Sequence, residues 1–216
     1  MSVLPFRTPA EHDAAVAAVA RHLAGGGLLA YPTETVYGLG SRPEADEVAA
    51  LAALKGRPEG KPFLLLIAGS PMAERYGLVF NQAARAMADA FWPGPLTLIL
   101  PGGHALPPVL RGPEGGIAVR WTSHAGIAHL IRALDAPITS TSANRPGGPT
   151  APGVDAIKAA FTDAIAAGQL LVLDGGVLGN VPPSTVVDCT EAEARMVREG
   201  ALPRRELTAA VGRMAP

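Results

Sequence analysis

The sequence has a single cysteine, Cys189, among its 216 residues. One cysteine cannot form an internal disulfide, and no metal-ligand spacing surrounds it, so we expect a protein of a reducing compartment. The five histidines are not paired at metal-ligand spacings such as H-x-x-x-H. We therefore predict no metal site built from these residues.

Long apolar runs and an excess of charge are also missing. The N-terminus has no apolar segment of the kind found in signal peptides, and no run of about 18 apolar residues occurs. We expect a cytoplasmic protein without a membrane association. The net charge is −1 and only 5% of the residues are aromatic, which argues against a dedicated nucleic-acid binder but leaves room for a local basic groove.

The composition indicates a well-packed globular chain, with 48% hydrophobic and 17% charged residues. Alternating apolar and helical segments, without a long linker, predict one domain over residues 1–216. The expected fold class is α/β, with a twisted mixed parallel and antiparallel sheet and flanking helices. The predicted strands are 28–30, 63–67, 96–100, 116–120, 137–142, 170–173, 185–188 and 195–198. The predicted helices begin at the capping sequence 8–11 and then lie near 45–54, 81–91, 123–134, 154–166 and 203–211.

Residues 31–40, YPTETVYGLG, follow an apolar strand and predict a small-molecule site. The hydroxyls and the carboxylate of Thr33, Glu34 and Thr35 suit a polar ligand, and Gly38 and Gly40 would let the backbone approach it. The alternative is a tight turn with an internally satisfied polar patch.

A second candidate is Lys55-Gly56-Arg57-Pro58 at a predicted helix end. Two cations projecting to one side of a cleft suit a polyphosphate, although cations at a helix C-terminus also occur simply to offset the helix dipole. The segment is not a P-loop, because its glycines are too close together and Pro62 stands where a P-loop has Ser or Thr.

Two strand ends carry the remaining candidates. Ser142 and Asn144 face the same way in extended chain and could hold phosphate or ribose oxygens, or form a turn. Arg120 ends an apolar strand and needs an anionic partner, either a structural or a substrate carboxylate. Polar residues also flank the last strands, near 184–188 and 197–200.

Together these segments resemble the YrdC-like threonylcarbamoyl-AMP synthases over about residues 14–201. The resemblance rests on ordered blocks: 31–40, 55–62, 92–97, 118–120, 140–144 and 197–200. The family's Lys-x-Arg and Ser-x-Asn tetrad falls on Lys55, Arg57, Ser142 and Asn144. The resemblance implies the YrdC-like fold in its short, single-domain form.

The resemblance also implies a reaction in which L-threonine, bicarbonate and ATP give threonylcarbamoyl-AMP and pyrophosphate. It implies that Mg²⁺ accompanies ATP, that a downstream tRNA threonylcarbamoyl-transfer machinery uses the product, and it leaves open a weak binding of tRNA. Threonine would be held by Thr35 and Arg120, with Ser184 or Thr185 nearby. ATP would be held by Lys55, Arg57, Ser142, Asn144, Thr150 and Arg198.

The sequence leaves two alternative functions open. Residues 174–179 and 197–200 are also similar to a YciO-like paralogue, viewed as an RNA-binding or ribosome-maturation factor; the intact tetrad favours the synthase. An accessory role in carbamoyl transfer, as in multidomain relatives, would require appended domains that we do not expect.

Overall fold

The computed structural model describes residues 2–57, 61–113 and 115–215. The strands in these residues are Val3–Pro5 (β1), Leu28–Tyr31 (β2), Gly38–Gly40 (β3), Leu64–Leu66 (β4), Leu96–Leu100 (β5), Ile117–Arg120 (β6), Ile138–Ser142 (β7), Leu170–Asp174 (β8), Thr185–Asp188 (β9) and Arg195–Arg198 (β10). The helices are Pro9–Ala24 (α1), Ala45–Lys55 (α2), Ser70–Arg75 (α3), Gln82–Phe91 (α4), Ala125–Leu134 (α5), Val154–Ala160 (α6), Thr162–Ala166 (α7) and Arg204–Val211 (α8). Among the described residues, no helix is long and apolar enough to cross a membrane.

All ten strands form one sheet, in the order β1-β8-β2-β3-β7-β4-β6-β5-β9-β10. Four neighbouring pairs are parallel: β1 with β8, β2 with β8, β4 with β6, and β5 with β9. The other five pairs are antiparallel. The predicted mixed sheet with flanking helices is therefore confirmed.

Local sequence signals explain the ends of several helices. Thr8 and Glu11 form the predicted capping box at the start of α1. The side chain of Asn81 accepts a hydrogen bond from the Ala84 amide and caps α4. Helix α2 ends at Gly56, whose left-handed backbone (φ 64°) favours glycine.

Four short elements, namely β1, β3, α3 and a 3₁₀ helix at Pro108–Leu110, and one break within a helix were not predicted. Strands β1 and β3 have three residues each, too few to show an alternating pattern, and β3 contains two glycines, which are depleted in strands. Helix α3 was also missed. The single helix predicted over 154–166 is instead two, α6 and α7, separated at the buried Phe161, whose backbone is not helical (φ −131°).

Gly40 lets three strands pack closely. A Cβ at this position would lie 2.1 Å from the carbonyl oxygen of Thr139 and 3.0 Å from the ring of Tyr31. The Tyr31 hydroxyl donates to that same carbonyl at 3.0 Å, and the ring is fully buried. The expectation that Gly40 admits a ligand is therefore wrong, because the space beside it is filled by neighbouring strands.

We expect Gly40→Ala to lower the free energy of unfolding by about 3 kcal/mol, the upper end of the usual cost of overpacking, because the new methyl group meets rigid backbone. Urea denaturation measures this change. Gly25→Ala is the matched control, since its Cβ would meet nothing closer than 3.5 Å, and it should change stability by less than about 1 kcal/mol. Equal stability of the two variants would contradict this explanation of Gly40.

Candidate active site

A cavity of about 400 Å³ opens beside the ends of β3, β6 and β7. Its wall combines hydroxyl groups, aliphatic side chains and three arginines. It brings together eight of the polar residues singled out from the sequence: Thr33, Thr35, Arg57, Arg120, Ser142, Thr150, Ser184 and Arg198. Gly38 also lines it. The fold thus assembles residues that lie far apart in the sequence.

Lys55 and Asn144 lie directly behind this wall and hold Ser142. The Lys55 ammonium donates to the Ser142 carbonyl at 2.5 Å and to Oδ1 of Asn144. Ser142 Oγ donates to the same Oδ1 at 2.7 Å, so the two side chains share a face as expected. Lys55 is 6% exposed, so the expectation of a cleft-surface ammonium is wrong for this residue.

Two cations therefore stand close together at this end of the cavity. Burial, and then the positive charge of Arg57, lower the pKa of Lys55 to about 8. Arg57 is half-buried and donates to Thr141 Oγ1 at 3.1 Å and to the Pro62 carbonyl at 2.8 Å. Pro58, the last residue of the predicted motif, lies outside the described residues.

Arg198 brings a third cation to the cavity. Its Nη2 donates to the Ser184 carbonyl at 2.7 Å. Much of the side chain is exposed, but desolvation of its guanidinium and the positive charge of Arg120 lower its pKa. Within the described residues, Lys55, Arg57 and Arg198 form no ion pair with a carboxylate. Such a group of uncompensated cations suits a polyanionic ligand.

Arg120 differs from these three cations because it has a carboxylate partner. It is 5% exposed, and its Nη2 lies 2.6 Å from Glu34 Oε1. Its Nε donates to the Gly94 carbonyl, and both Nη atoms donate to Thr35 Oγ1 at 3.2 Å. The partner left open in the sequence analysis is thus a structural carboxylate, while the guanidinium still faces the cavity. Glu34 was noted only as part of a polar segment, and its pairing with a residue 86 positions later carried no sequence signal.

Ser184 and Thr185 have different environments. Ser184 lines the cavity, and its hydroxyl lies 2.8 Å from Thr97 Oγ1. Thr185 does not line it: its hydroxyl donates to the Leu202 carbonyl and accepts from the amides of Gly200 and Leu202. The Thr185 hydroxyl therefore holds residues 200–202, which follow β10, through three hydrogen bonds. Three polar lining residues, Thr97, Ser140 and Thr141, were not singled out from the sequence.

The Sua5/YciO/YrdC family model, described as "Telomere recombination", matches residues 21–200. The chain belongs to this family. The threonylcarbamoyl-AMP synthase of Chromobacterium violaceum is 37% identical over 169 residues, which cover 78% of this chain and 85% of that protein. The resemblance drawn from the ordered sequence blocks is thereby confirmed.

Two solved structures of the Sua5/YciO/YrdC family share the fold. Pyrococcus abyssi Sua5 complexed with L-threonine has a TM-score of 0.89 and 32% identity, over 99% of this chain and 62% of the longer Sua5 chain. Escherichia coli YciO has a TM-score of 0.79 and 28% identity, over 93% of this chain and 95% of its own. The expected YrdC-like fold is confirmed, and the chain spans about three fifths of the Sua5 chain.

The lowered pKa of Lys55 predicts that the free energy of unfolding depends on pH. Above pH 8 the folded chain loses the Lys55 proton, whereas the unfolded chain keeps it up to the ordinary value of 10.5. The unfolded state then binds more protons than the folded state, so the contribution of Lys55 to the free energy of unfolding rises with pH. Relative to Lys55→Met, the free energy of unfolding of the wild type should increase by about 1.4 kcal/mol per pH unit over this range.

Urea denaturation between pH 7.5 and 9.5 measures this difference. Lys158→Met is the matched control, because it removes an exposed ammonium, and its difference from the wild type should stay constant. If the difference in the free energy of unfolding between the wild type and Lys55→Met also stays constant with pH, the Lys55 ammonium keeps its proton across this range, which would contradict the prediction.

Proposed function

We propose that this chain is an L-threonylcarbamoyladenylate synthase. The observation that carries the proposal is the arrangement of charge at one cavity. Arg57 and Arg198 in its wall and Lys55 behind it have no carboxylate partner among the described residues, and the neighbouring Arg120 has one. A polyphosphate needs the first group, and an amino-acid carboxylate suits the second. The naming of its relatives as threonylcarbamoyl-AMP synthases supports the same function.

The proposed reaction has two steps. The neutral amine of threonine adds to bicarbonate and loses water, which gives N-carboxythreonine. An oxygen of this carbamate then attacks the α-phosphorus of ATP, the bond from that phosphorus to the bridging oxygen breaks, and pyrophosphate leaves. Both reactants of the second step are anions, so their approach needs fixed positive charge.

The residues divide between the two substrates in this proposal. Arg120 takes the threonine carboxylate, with Thr35 and Ser184 beside it, and Thr185 keeps Ser184 in place through the backbone. The ATP phosphates and ribose lie along the cationic end, at Arg57, Ser142, Thr150 and Arg198. Lys55 and Asn144 fix Ser142 and add positive charge behind it.

This chemistry requires no nucleophilic side chain. Cys189 is buried, and burial raises the pKa of its thiol to about 12, so it stays protonated and unreactive. Alignment of the two substrates and stabilisation of the charge that builds on pyrophosphate are what the cavity supplies.

We propose that Mg²⁺ enters as Mg·ATP rather than as a resident metal. The described residues that line the cavity include no carboxylate, and the described part of the chain holds no group of three or more His, Cys, Asp or Glu able to bind a metal. We further propose that the chain works in the cytoplasm as one domain, and that a tRNA threonylcarbamoyl-transfer machinery receives its product.

We expect ATP turnover to require both threonine and bicarbonate. Pyrophosphate release measures turnover, and mass spectrometry of the mixture should find the threonylcarbamoyl adenylate. Omission of either co-substrate is the control. Equal pyrophosphate release without one of them would contradict the synthase, and RNA binding without any turnover would favour the YciO-like alternative.

Variants of two arginines should separate the two substrates. Arg57→Ala should reduce kcat/KM for ATP by at least about tenfold to a hundredfold, because removing one charge-stabilising donor costs about a hundredfold or more. Arg120→Gln should instead raise the KM for threonine more than the KM for ATP. Arg85→Ala removes an exposed arginine that is paired with Glu74, and it should leave both constants unchanged. Equal effects of Arg120→Gln on both substrates would assign Arg120 to structure alone.

A further inference from the structure

Glu34 reaches Arg120 from outside the cavity. It does not line the cavity wall. Its Oε2 accepts a hydrogen bond from the Thr122 hydroxyl, and its Oε1 accepts one from the Ser123 amide at 3.3 Å. One oxygen lies 2.6 Å from Arg120 Nη2. Because Glu34 does not line the cavity but pairs with Arg120, which does, we expect its effect on ligand choice to act through Arg120.

The carboxylate of Glu34 is ionised at neutral pH. Burial alone would raise its pKa, but the charge of Arg120 and hydrogen bonds from Thr122 and Arg120 outweigh burial and lower it. The Arg120–Glu34 pair is therefore neutral overall. Among the described cations of the cavity, only Arg120 is balanced in this way.

Arg120 and Arg198 are close enough to influence each other. The charge of Arg120 contributes to the lowered pKa of Arg198, another cation of the cavity wall. Without a compensating carboxylate, Arg120 would extend the run of positive charge formed by Lys55, Arg57 and Arg198. Phosphate groups would then be attracted to the place where the amino acid must bind.

We propose that Glu34 is a specificity-determining residue that reserves Arg120 for an amino acid and keeps phosphate groups away from it. The inference rests on the proposed function of the cavity. A neutral ion pair discriminates against a multiply charged anion, whereas a zwitterion has no net charge and still gains hydrogen bonds from the guanidinium. Specificity here comes from removing an attraction for the wrong ligand.

Calorimetric titration with pyrophosphate, with and without saturating threonine, tests the inference. In the wild type, threonine should not weaken pyrophosphate binding. Glu34→Gln keeps the size of the side chain and removes its charge, and it should bind pyrophosphate about tenfold more tightly, the effect of one uncompensated charge a side-chain length away. In this variant threonine should compete with pyrophosphate.

Glu74→Gln is the matched control, because it removes the same charge from an exposed ion pair and should behave as the wild type. Unchanged pyrophosphate affinity in Glu34→Gln would overturn the inference. So would competition between threonine and pyrophosphate in the wild type, a measurement that decides the matter even if Glu34→Gln does not fold. If the wild type does not bind threonine, the result would instead contradict the proposed function.

Discussion

The pairing of β3 with β7 is the interaction on which the rest of the structure depends. Strand β3 has three residues, yet it joins β1, β8 and β2 on one side of the sheet to the six strands on the other. Its register places Gly38 opposite Ser142 and Leu39 opposite Thr141. The same pairing brings the polar segment before β3 to the hydroxyl-rich end of β7, so the pairing that makes the sheet continuous also forms this part of the cavity wall.

The cavity concentrates positive charge where the fold has little to balance it. Desolvation lowers the pKa of Lys55, Arg57 and Arg198, which means that the folded chain holds these charges at a cost. Carbonyl and hydroxyl groups accept hydrogen bonds from all three side chains without neutralising their charge. An anionic ligand would offset that cost, so the arrangement is better explained by binding than by stability.

Much of the fold and of the candidate site could be predicted from the sequence, and the contacts that could not be predicted share a physical cause. Strand periodicity correctly placed Arg120 at a strand end and Ser142 beside Asn144, because extended chain alternates its side chains. The burial of Lys55 and the pairing of Glu34 with Arg120 were not predictable, since both depend on contacts between segments far apart in the sequence. Thr185 lies next to Ser184, but its hydroxyl points into a separate set of backbone groups.

The hydroxyl groups around Arg120 limit how an amino acid can bind. Thr33 gives its proton to the Val36 carbonyl at 2.7 Å, so at the 3.0 Å contact between Thr33 and Thr35 the donor is Thr35. Thr35 Oγ1 also accepts from both Nη atoms of Arg120, which completes the one donor and two acceptor sites of a hydroxyl. Arg120 itself uses four of its five N–H groups in the contacts described: Nε donates to Gly94, Nη1 to Thr35, and Nη2 to Thr35 and Glu34. One N–H of Nη1 therefore remains for an arriving carboxylate. A ligand that accepts one hydrogen bond here leaves the network intact, whereas a ligand that accepts two must displace the contact to Thr35 or to Glu34. Displacing Thr35 frees a lone pair on its hydroxyl for a donor group of the same ligand.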